Sequence, residues 1–304
     1  MLPTPGTASA RPATPAAAWL AALTLCGALL AAPARPAPPA VPALEHVIVV
    51  VMENKSAERV LNPTACPFTA KLAGAWTRFS RSYAITHPSQ PNYLALWSGS
   101  TLEVTSNACP PEGAPFEVEN LGHALEAAGR TWRAYSEDLP RPGSPACDSR
   151  GRLYTRKHEP WTHFGNLRHE NERPYEELAA DIAGRRLPDL AFVIPNNCRN
   201  THDCPLQTGD SWLAKELPAM IEAVGHRGLV VLTWDEDDHK AGNNILTVFA
   251  GAAVKAGYLS TRPITHYTVL RTLCDGLRIT PFGAATAESP ITDVWAPAGR
   301  PAVE

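Results

Sequence analysis

The sequence lacks an excess of charge of either sign. Its 304 residues include 27 Lys and Arg and 30 Asp and Glu, for a formal net charge of -3. A chain with so little net charge has no global basic field to attract nucleic acid, so no nucleic-acid partner is expected. Apolar residues make up 44% of the chain, which is enough to build a sizeable core.

The sequence also lacks internal repeats and shows no second composition regime. These absences exclude a repeat architecture and favour one domain, which we place at residues 44–297. Residues 35–43 are rich in Pro and Ala and are interpreted as a linker that buries no face. Residues 298–304 are interpreted as a C-terminal tail.

The first 34 residues have the layout of a secretory signal peptide. Arg11 precedes an apolar run over residues 16–32, and several small residues follow it. Cleavage is expected between Ala32 and Ala40, which predicts an exported chain, periplasmic or secreted, without stable membrane association. An uncleaved membrane anchor is the alternative, because the run approaches the roughly 17 residues that span a bilayer.

Cysteine is sparse, and its use supports export. Cys26 lies in the N-terminal apolar run, which leaves six cysteines in the exported chain. Such a chain is expected to form disulfides. Two pairs are predicted, Cys198 with Cys204 across a short loop, and Cys109 with Cys147 between Pro-rich loops. Cys66 and Cys274 remain, and the apolar helical pattern around Cys274 is typical of a buried thiol.

Strand-like and helix-like segments alternate along the chain. Strands are predicted at residues 46–51, 79–85, 131–135, 190–194, 229–234 and 245–250. Helices are predicted at residues 67–75, 121–128, 175–183, 212–224 and 266–277, with another from Ser89 to Gly99. This alternation predicts an α/β fold with a mostly parallel central sheet and helices on both faces.

Two of the predicted strands end in acidic or amide side chains. Asp235, Glu236, Asp237 and Asp238 follow the strand at residues 229–234, and Glu53 and Asn54 follow the strand at residues 46–51. Ligands of open α/β sheets bind outside the carboxyl ends of the strands. Oxygen ligands from two parallel strands suit a hard cation, and the alternative is a solvated acidic turn.

Ser89 is the strongest candidate nucleophile. It lies at a predicted strand-to-helix turn, where free backbone amides favour a phosphate group. The alternative is an ordinary N-cap serine. His202 and Asp203 lie in the loop that the predicted Cys198–Cys204 bridge closes, and a histidine beside an aspartate suits a general acid.

Three further side chains are candidates for substrate binding: Asn92, His158 and His266. A single histidine is more often structural than functional, which is the alternative for His158 and His266. Asp210 precedes an apolar helical pattern and is interpreted as its cap.

Four motifs in this order resemble one known family. They are Met52-Glu53-Asn54-Lys55-Ser56, His87-Pro88-Ser89-Gln90-Pro91-Asn92, His202-Asp203-Cys204 and Trp234-Asp235-Glu236-Asp237-Asp238. The chain thereby resembles the bacterial and fungal phosphoesterase family that contains acid phosphatases and phosphatidylcholine-type phospholipases C. The resemblance implies a single alkaline-phosphatase-like domain.

The resemblance also implies roles for matching residues. Ser89 becomes transiently phosphorylated, and His202 protonates the leaving group. Glu53, Asn54, Asp235 and Glu236 hold a divalent metal ion, with direct contact to phosphoryl oxygens as the alternative for Asn54. Metal identity and number are left open.

Four departures favour the compact acid-phosphatase-like branch over the phospholipases. Asp237, Asp238 and His239 stand where phospholipase-type members carry His-Gly-Gly, Tyr93 stands where they carry Arg, and Ala57 where they carry an aromatic residue. The chain also lacks their long C-terminal extension. The favoured substrate is a small phosphomonoester. A phosphodiester substrate and a non-catalytic binding protein are the alternatives.

The segment at residues 147–173 is the predicted rim of the site. It is largely polar and carries several basic residues, which suit a dianionic monoester better than a diester. Tyr154, Trp161 and Phe164 are scattered through it. They are interpreted either as a stacking surface for the leaving group or as packing that fixes the segment.

Overall fold

The computed structural model describes residues 41–297. The signal peptide predicted at residues 1–34, most of the predicted linker and the tail at residues 298–304 lie outside the described residues. Val41, which the sequence analysis assigns to the linker, is buried against the core. Its carbonyl accepts a hydrogen bond from Arg278 Nη2 at 3.2 Å.

One eight-stranded sheet forms the centre of the described part of the chain. Its strands are β1 (Val47–Met52), β2 (Thr77–Tyr83), β3 (Trp132–Ser136), β4 (Glu172–Pro174), β5 (Leu190–Ile194), β6 (Leu229–Trp234), β7 (Thr247–Ala250) and β8 (Leu259–Thr265). Their order across the sheet is β4-β3-β5-β1-β6-β7-β2-β8. Only β7 is antiparallel to its neighbours, so the prediction of a mostly parallel α/β sheet is confirmed.

Helices cover both faces of this sheet. They are α1 (Ala57–Val60), α2 (Pro67–Ala75), α3 (Ser89–Ser98), α4 (Leu121–Ala127), α5 (Glu176–Ala183), α6 (Leu206–Ala223) and α7 (His266–Leu277). Between β3 and β4 along the chain, short 3-10 turns occupy much of residues 150–171, including Arg156–His158. Alternate residues of β1 enter two hydrophobic clusters, one with α3, α4 and α7 and the other with α2, α5 and α6. Burial on both faces explains why β1 and β6 read as uninterrupted apolar runs.

The two edge strands were not predicted from the sequence. β8 alternates exposed and buried residues and contains Pro263, which cannot donate a backbone hydrogen bond. An edge position tolerates this proline, because one side of the strand has no neighbour. β4 has only the residues Glu172–Pro174, too few to give a periodic signal.

Helix α6 begins at Leu206 rather than at residue 212, and this corrects the interpretation of Asp210. Asp210 lies inside α6 and does not cap it. Its carboxylate instead accepts hydrogen bonds from the backbone N–H groups of Phe68 and Thr69, at 3.0 and 2.8 Å. Asp210 therefore caps α2, a helix distant in sequence, where a carboxylate is also favoured by the helix dipole.

The structure contains both predicted disulfides, Cys109–Cys147 and Cys198–Cys204. Cys66 and Cys274 are buried thiols. Within residues 41–297, every helix is too short or too polar to cross a membrane.

Candidate functional site

The carboxyl ends of β1 and β6 bring the predicted acidic residues together. The two strands are adjacent and parallel, so the side chains that follow them meet at one edge of the sheet. Asn54 N donates a hydrogen bond to Asp235 Oδ1 at 2.9 Å. The carboxylates of Glu53, Asp235 and Glu236 are all buried. A solvated acidic turn is thereby excluded for these three residues.

Ser89 is the first residue of α3, and its hydroxyl lies between two of these carboxylates. Ser89 Oγ is 3.1 Å from Glu53 Oε2 and 3.0 Å from Glu236 Oε1. A hydroxyl has one proton, so it donates to one carboxylate at a time. The alternative role of Ser89 as an N-cap is wrong. Pro88 occupies the N-cap position of α3, and no side chain caps the helix there.

Asn54 connects the ends of β1, β6 and α3. Its backbone has a left-handed φ of 56°, a conformation that Asn adopts more readily than most residues. Its Nδ2 donates to Glu53 Oε2 at 2.6 Å and to Ser89 Oγ at 3.2 Å. Asn54 therefore orients both the serine and the carboxylate beside it.

Burial and mutual repulsion perturb the acidic cluster strongly. Burial raises the pKa of Asp235 well above its ordinary value, and the charges of Glu53 and Glu236 raise it further. Burial and the charge of Glu53 raise the pKa of Glu236 to about 7. Asp235 Oδ2 is enclosed without a hydrogen-bond partner among the described residues. An orphaned carboxylate oxygen within a cluster of acidic groups is the donor chemistry that a hard cation satisfies.

The residues present thus fit a divalent cation by donor type. Glu53, Asp235, Glu236, the Asn54 carboxamide and the Ser89 hydroxyl supply only oxygen ligands, as hard cations prefer. In the described range, no three His, Cys, Asp or Glu side chains stand at the mutual spacing of a formed metal centre.

Glu53 is held from behind by Tyr93 and His158. Tyr93 Oη donates to Glu53 Oε1 at 2.5 Å, and His158 Nε2 lies 3.1 Å from the same oxygen. The rings of Tyr93 and His158 stack with centroids 5.2 Å apart. Burial lowers the pKa of His158 to about 3, so this ring is neutral. Tyr93 therefore orients Glu53 through a hydrogen bond, and the His158 ring packs beside it.

The loop closed by Cys198 and Cys204 supports Glu53 through the backbone. Glu53 N donates to Asn200 O at 2.8 Å, and Thr201 Oγ1 donates to Glu53 O at 2.7 Å. The disulfide therefore holds a loop that contacts the site directly.

His202 lies on this loop at the rim of the site. Its Nδ1 is 2.5 Å from Asp203 Oδ1, and its ring centroid is 6.2 Å from that of His158. Its side chain is partly exposed. The Asp203 carboxylate fixes the tautomer of His202, so that Nε2 is the nitrogen left to act on another molecule.

The structure places Asn92 and His266 behind the site, as it does His158. The Asn92 carboxamide is buried, and it accepts from Ile85 N and Thr86 N and donates to Thr86 O and Pro88 O. These bonds hold the turn before Ser89.

His266 Nε2 is 2.8 Å from Asp235 O, and burial lowers the pKa of His266 to about 4. Asn92, His158 and His266, predicted to bind substrate, are thus engaged in positioning other groups.

Sequence reasoning gave no role to His87, which the structure places in the site. His87 Nδ1 contacts Glu236 Oε2, and its Nε2 lies 3.4 Å from Asp237 Oδ1. The ring of His239 stacks on it, with centroids 3.8 Å apart. The available signal was the position of His87, two residues before Ser89 in the same motif.

Asp237 does not join the carboxylate cluster around Ser89. Its oxygens accept from the backbone N–H groups of His239, Ala241 and Asn243 at 2.6–3.1 Å. Asp238 pairs with Arg59 at 2.8 Å. The second half of the acidic run therefore shapes and anchors the loop after β6.

The predicted rim segment contributes packing more than a stacking surface. Tyr154, Trp161 and Phe164 are all buried, which supports the packing interpretation. Among the described residues, the large apolar side chains that are exposed are Val118, at 46%, and Leu259, at 43%.

Comparison with known proteins shows which family the chain is similar to. The family model described as the Phosphoesterase family matches residues 59–278. The chain is 41% identical over 251 residues to the phosphatidylinositol-3-phosphatase of Mycobacterium tuberculosis, and the match covers 82% of each protein. It is 27% identical over 210 residues to an acid phosphatase of Aspergillus fumigatus, covering 65% of this chain and 46% of that protein. The chain thus spans about half the length of this fungal relative.

Solved structures support the fold. A protein of the alkaline phosphatase superfamily from Vibrio parahaemolyticus superposes with a TM-score of 0.61 at 12% identity, covering 84% of this chain and 72% of that one. The lipoteichoic acid synthase LtaP from Listeria monocytogenes superposes with a TM-score of 0.58 at 8% identity, covering 84% and 77%. The predicted alkaline-phosphatase-like fold is therefore confirmed.

Proposed function

The chain belongs to the Phosphoesterase family and is a phosphoric ester hydrolase, and from this premise we propose that it is an exported, metal-dependent phosphatase that cleaves phosphomonoesters. The observation that carries the proposal is the position of Ser89 Oγ, 3.1 Å from Glu53 Oε2 and 3.0 Å from Glu236 Oε1. A hydroxyl at a helix start beside groups that accept its proton is suited to nucleophilic attack on phosphorus. Its relatives named as acid phosphatases and as a phosphatidylinositol-3-phosphatase support the monoester class.

In the proposed reaction Ser89 Oγ attacks the phosphoryl group and becomes transiently phosphorylated. Its proton passes to the neighbouring carboxylate that accepts its hydrogen bond. His202 Nε2 donates a proton to the leaving oxygen, since Asp203 occupies Nδ1. Water then hydrolyses the phosphoserine. Phosphoryl transfer depends mainly on such positioning and on charge neutralisation.

Glu53, Asn54, Asp235 and Glu236 are the residues proposed to hold the divalent cation, together with Ser89. When bound, the cation neutralises charge on the phosphoryl oxygens. Tyr93, His158 and Thr201 keep Glu53 in place for this purpose. The orphaned Asp235 Oδ2 supports the assignment.

Export is proposed from the N-terminal sequence and the disulfides. Two disulfides form in the described part of the chain, and such bonds persist in oxidising compartments. The apolar run at residues 16–32 has the features of a signal peptide.

The test compares p-nitrophenyl phosphate with bis(p-nitrophenyl) phosphate, each with and without a chelator. We expect faster hydrolysis of the monoester, loss of activity on chelation and recovery with a divalent cation. Ser89→Ala should lower turnover by at least about 10³-fold, as expected when a nucleophile is removed. Ser289→Ala is the matched control, because Ser289 is exposed. Activity of the Ser89 variant within a few fold of wild type, or indifference to chelation, would contradict the proposal.

A phosphoinositide monoester is a second candidate substrate. It is favoured by the 41% identity to a protein named as a phosphatidylinositol-3-phosphatase. Phosphate release from phosphatidylinositol 3-phosphate and from a water-soluble inositol phosphate should then be of similar efficiency.

A further inference from the structure

Lys157 is a buried cation without an evident role in the fold. It is 8% exposed, and it is the only buried Lys or Arg among the side chains that the structure describes. Within residues 41–297 its ammonium has no hydrogen-bond or ion-pair partner. The ammonium nitrogen is not among the fully enclosed polar atoms that lack a partner in the described residues, so the tip of this largely buried side chain stays open to solvent. A cation held in this way can meet an anion that enters from solvent.

The backbone places Lys157 at the phosphoesterase site. Lys157 belongs to the 3-10 turn Arg156–His158, which packs against α3, the helix that begins with Ser89. The next residue, His158, has Nε2 at 3.1 Å from Glu53 Oε1. Lys157 is thus next in sequence to a side chain that contacts Glu53.

The electrostatics agree with this placement. Burial raises the pKa of Glu53 and that of Glu236, whereas the Lys157 ammonium lowers both. Glu53 and Glu236 are the two carboxylates that contact Ser89 Oγ. The charge of Lys157 therefore acts on the two carboxylates that flank the nucleophile.

Neighbouring cations differ from Lys157 in having partners. Arg156, the preceding residue, donates to Thr162 O at 2.8 Å and to Thr162 Oγ1 at 3.2 Å. Arg59 pairs with Asp238 at 2.8 Å. These side chains hold loops together, and Lys157 is left to interact with a bound molecule.

We propose that Lys157 binds a phosphoryl oxygen of the substrate and determines the preference for phosphomonoesters over phosphodiesters. The inference deepens the proposed function and rests on it. A monoester dianion carries one more negative charge than a diester, and a fixed ammonium compensates that charge. The diester has an esterified oxygen in place of the charged one, so it gains less from Lys157.

The main alternative is that Lys157 serves only as an internal counter-ion for the carboxylates. In that case its removal would raise the affinity of the site for a divalent cation or lower stability, without changing the choice between monoester and diester. The two roles therefore predict different measurements.

The test uses Lys157→Met, which keeps much of the apolar stem and removes the charge, and Lys157→Arg, which keeps the charge. Lys240→Met is the matched control, because Lys240 is exposed. Loss of a charge-assisted hydrogen bond is worth roughly 1.5–3 kcal/mol, so kcat/KM for p-nitrophenyl phosphate should fall about 10- to 150-fold in Lys157→Met. The kcat/KM of Lys157→Met for bis(p-nitrophenyl) phosphate should change less than about threefold. Lys157→Arg should recover part of the monoester activity.

Inorganic phosphate gives a readout that does not depend on turnover. Phosphate should raise the Tm of the metal-replete wild type and of Ser89→Ala, and this shift should be lost in Lys157→Met. Equal losses of monoester and diester activity, or an unchanged phosphate shift, would overturn the inference. If the wild type binds phosphate but hydrolyses neither ester, the proposed function fails while the role of Lys157 in anion binding stands.

Discussion

Tyr93 connects the identity of one residue to the geometry of the candidate cation site. Its hydroxyl donates a hydrogen bond to Glu53 Oε1 at 2.5 Å. A neutral donor there orients Glu53 and leaves its negative charge available to a cation. Groups of this kind behind a metal ligand commonly change metal affinity when they are removed.

We therefore expect Tyr93→Phe to weaken binding of the divalent cation by about 10- to 100-fold. The variant keeps the ring that stacks on His158, so its Tm at saturating metal should stay close to that of the wild type. The measurement is activity as a function of free cation concentration, with direct metal binding by calorimetry. Tyr267→Phe, a partly exposed tyrosine of α7, serves as control. An unchanged cation titration would show that Tyr93 only fills space.

At the level of single residues, the sequence brings the four candidate ligands together but does not predict the side chains that support them. Glu53, Asn54, Asp235 and Glu236 follow directly on two strands, so the rule that parallel strands share a carboxyl edge brings them together. The partners of Glu53 come from other elements, with Tyr93 40 residues away and Thr201 148 residues away in sequence. Such contacts depend on how α3 and the loop before α6 pack, and no local pattern encodes that packing.

Helix α6 illustrates how an element controls the site from a distance. Its Gly209 packs closely against the loop that contacts Glu53. A Cβ atom at Gly209 would lie 2.5 Å from Thr201 Cγ2 and 2.8 Å from Arg199 O. Backbone at this distance cannot move aside without shifting the loop, and Thr201 Oγ1 is the donor to Glu53 O.

Gly209→Ala is accordingly expected to reduce kcat/KM on the order of 10- to 100-fold, because small displacements of a catalytic group are costly. Overpacking should also destabilise the protein by about 1–3 kcal/mol. Gly74→Ala in α2 is the matched control, since a Cβ there meets nothing within 4 Å. That control should be neutral or stabilising by about 0.5–1 kcal/mol. Wild-type kinetics in Gly209→Ala would mean that the loop adjusts without consequence for Glu53.

Elements were predicted well where they are buried and regular. The bounds of α2, β5, β6 and α7 match the sequence prediction, because long apolar runs and clear stops define them. The start of α6 was placed too late because residues 206–211 are mostly polar. Their helical conformation depends on contacts such as those of Asp210 with α2. Here tertiary packing, absent from any local window, decides the boundary.

Asp189 is a carboxylate whose ionised form stabilises the fold. Asp189 joins the starts of β5 and β3, where its carboxylate accepts from Arg130 Nη1 at 2.7 Å and Thr131 N at 2.8 Å. Burial raises its pKa, but the hydrogen bonds from Thr131 and the charge of Arg130 outweigh burial. They hold the pKa of Asp189 below its ordinary value of 3.8.

Because the folded pKa is lower than the unfolded one, ionised Asp189 stabilises the fold at pH above 3.8. This contribution is lost as the pH falls through the folded pKa. Asp189→Asn should thus be less stable than the wild type at pH 6, by about 1–2 kcal/mol for weakened hydrogen bonds. The difference should shrink as the pH falls below 3.8. Urea denaturation across this pH range provides the measurement, with exposed Glu112→Gln as control. A difference that is independent of pH would contradict this account.

The two disulfides have separate consequences for recombinant production. Cys109 and Cys147 are 38 residues apart, and such a bridge constrains the unfolded chain more than the six-residue closure of Cys198 and Cys204. The shorter bridge instead fixes the loop that holds Glu53. Material folded in a reducing host should lose thermal stability through the first bridge and specific activity through the second. In one batch of protein, a melting curve would therefore report whether the Cys109–Cys147 bridge has formed, and a turnover assay would report on the Cys198–Cys204 bridge.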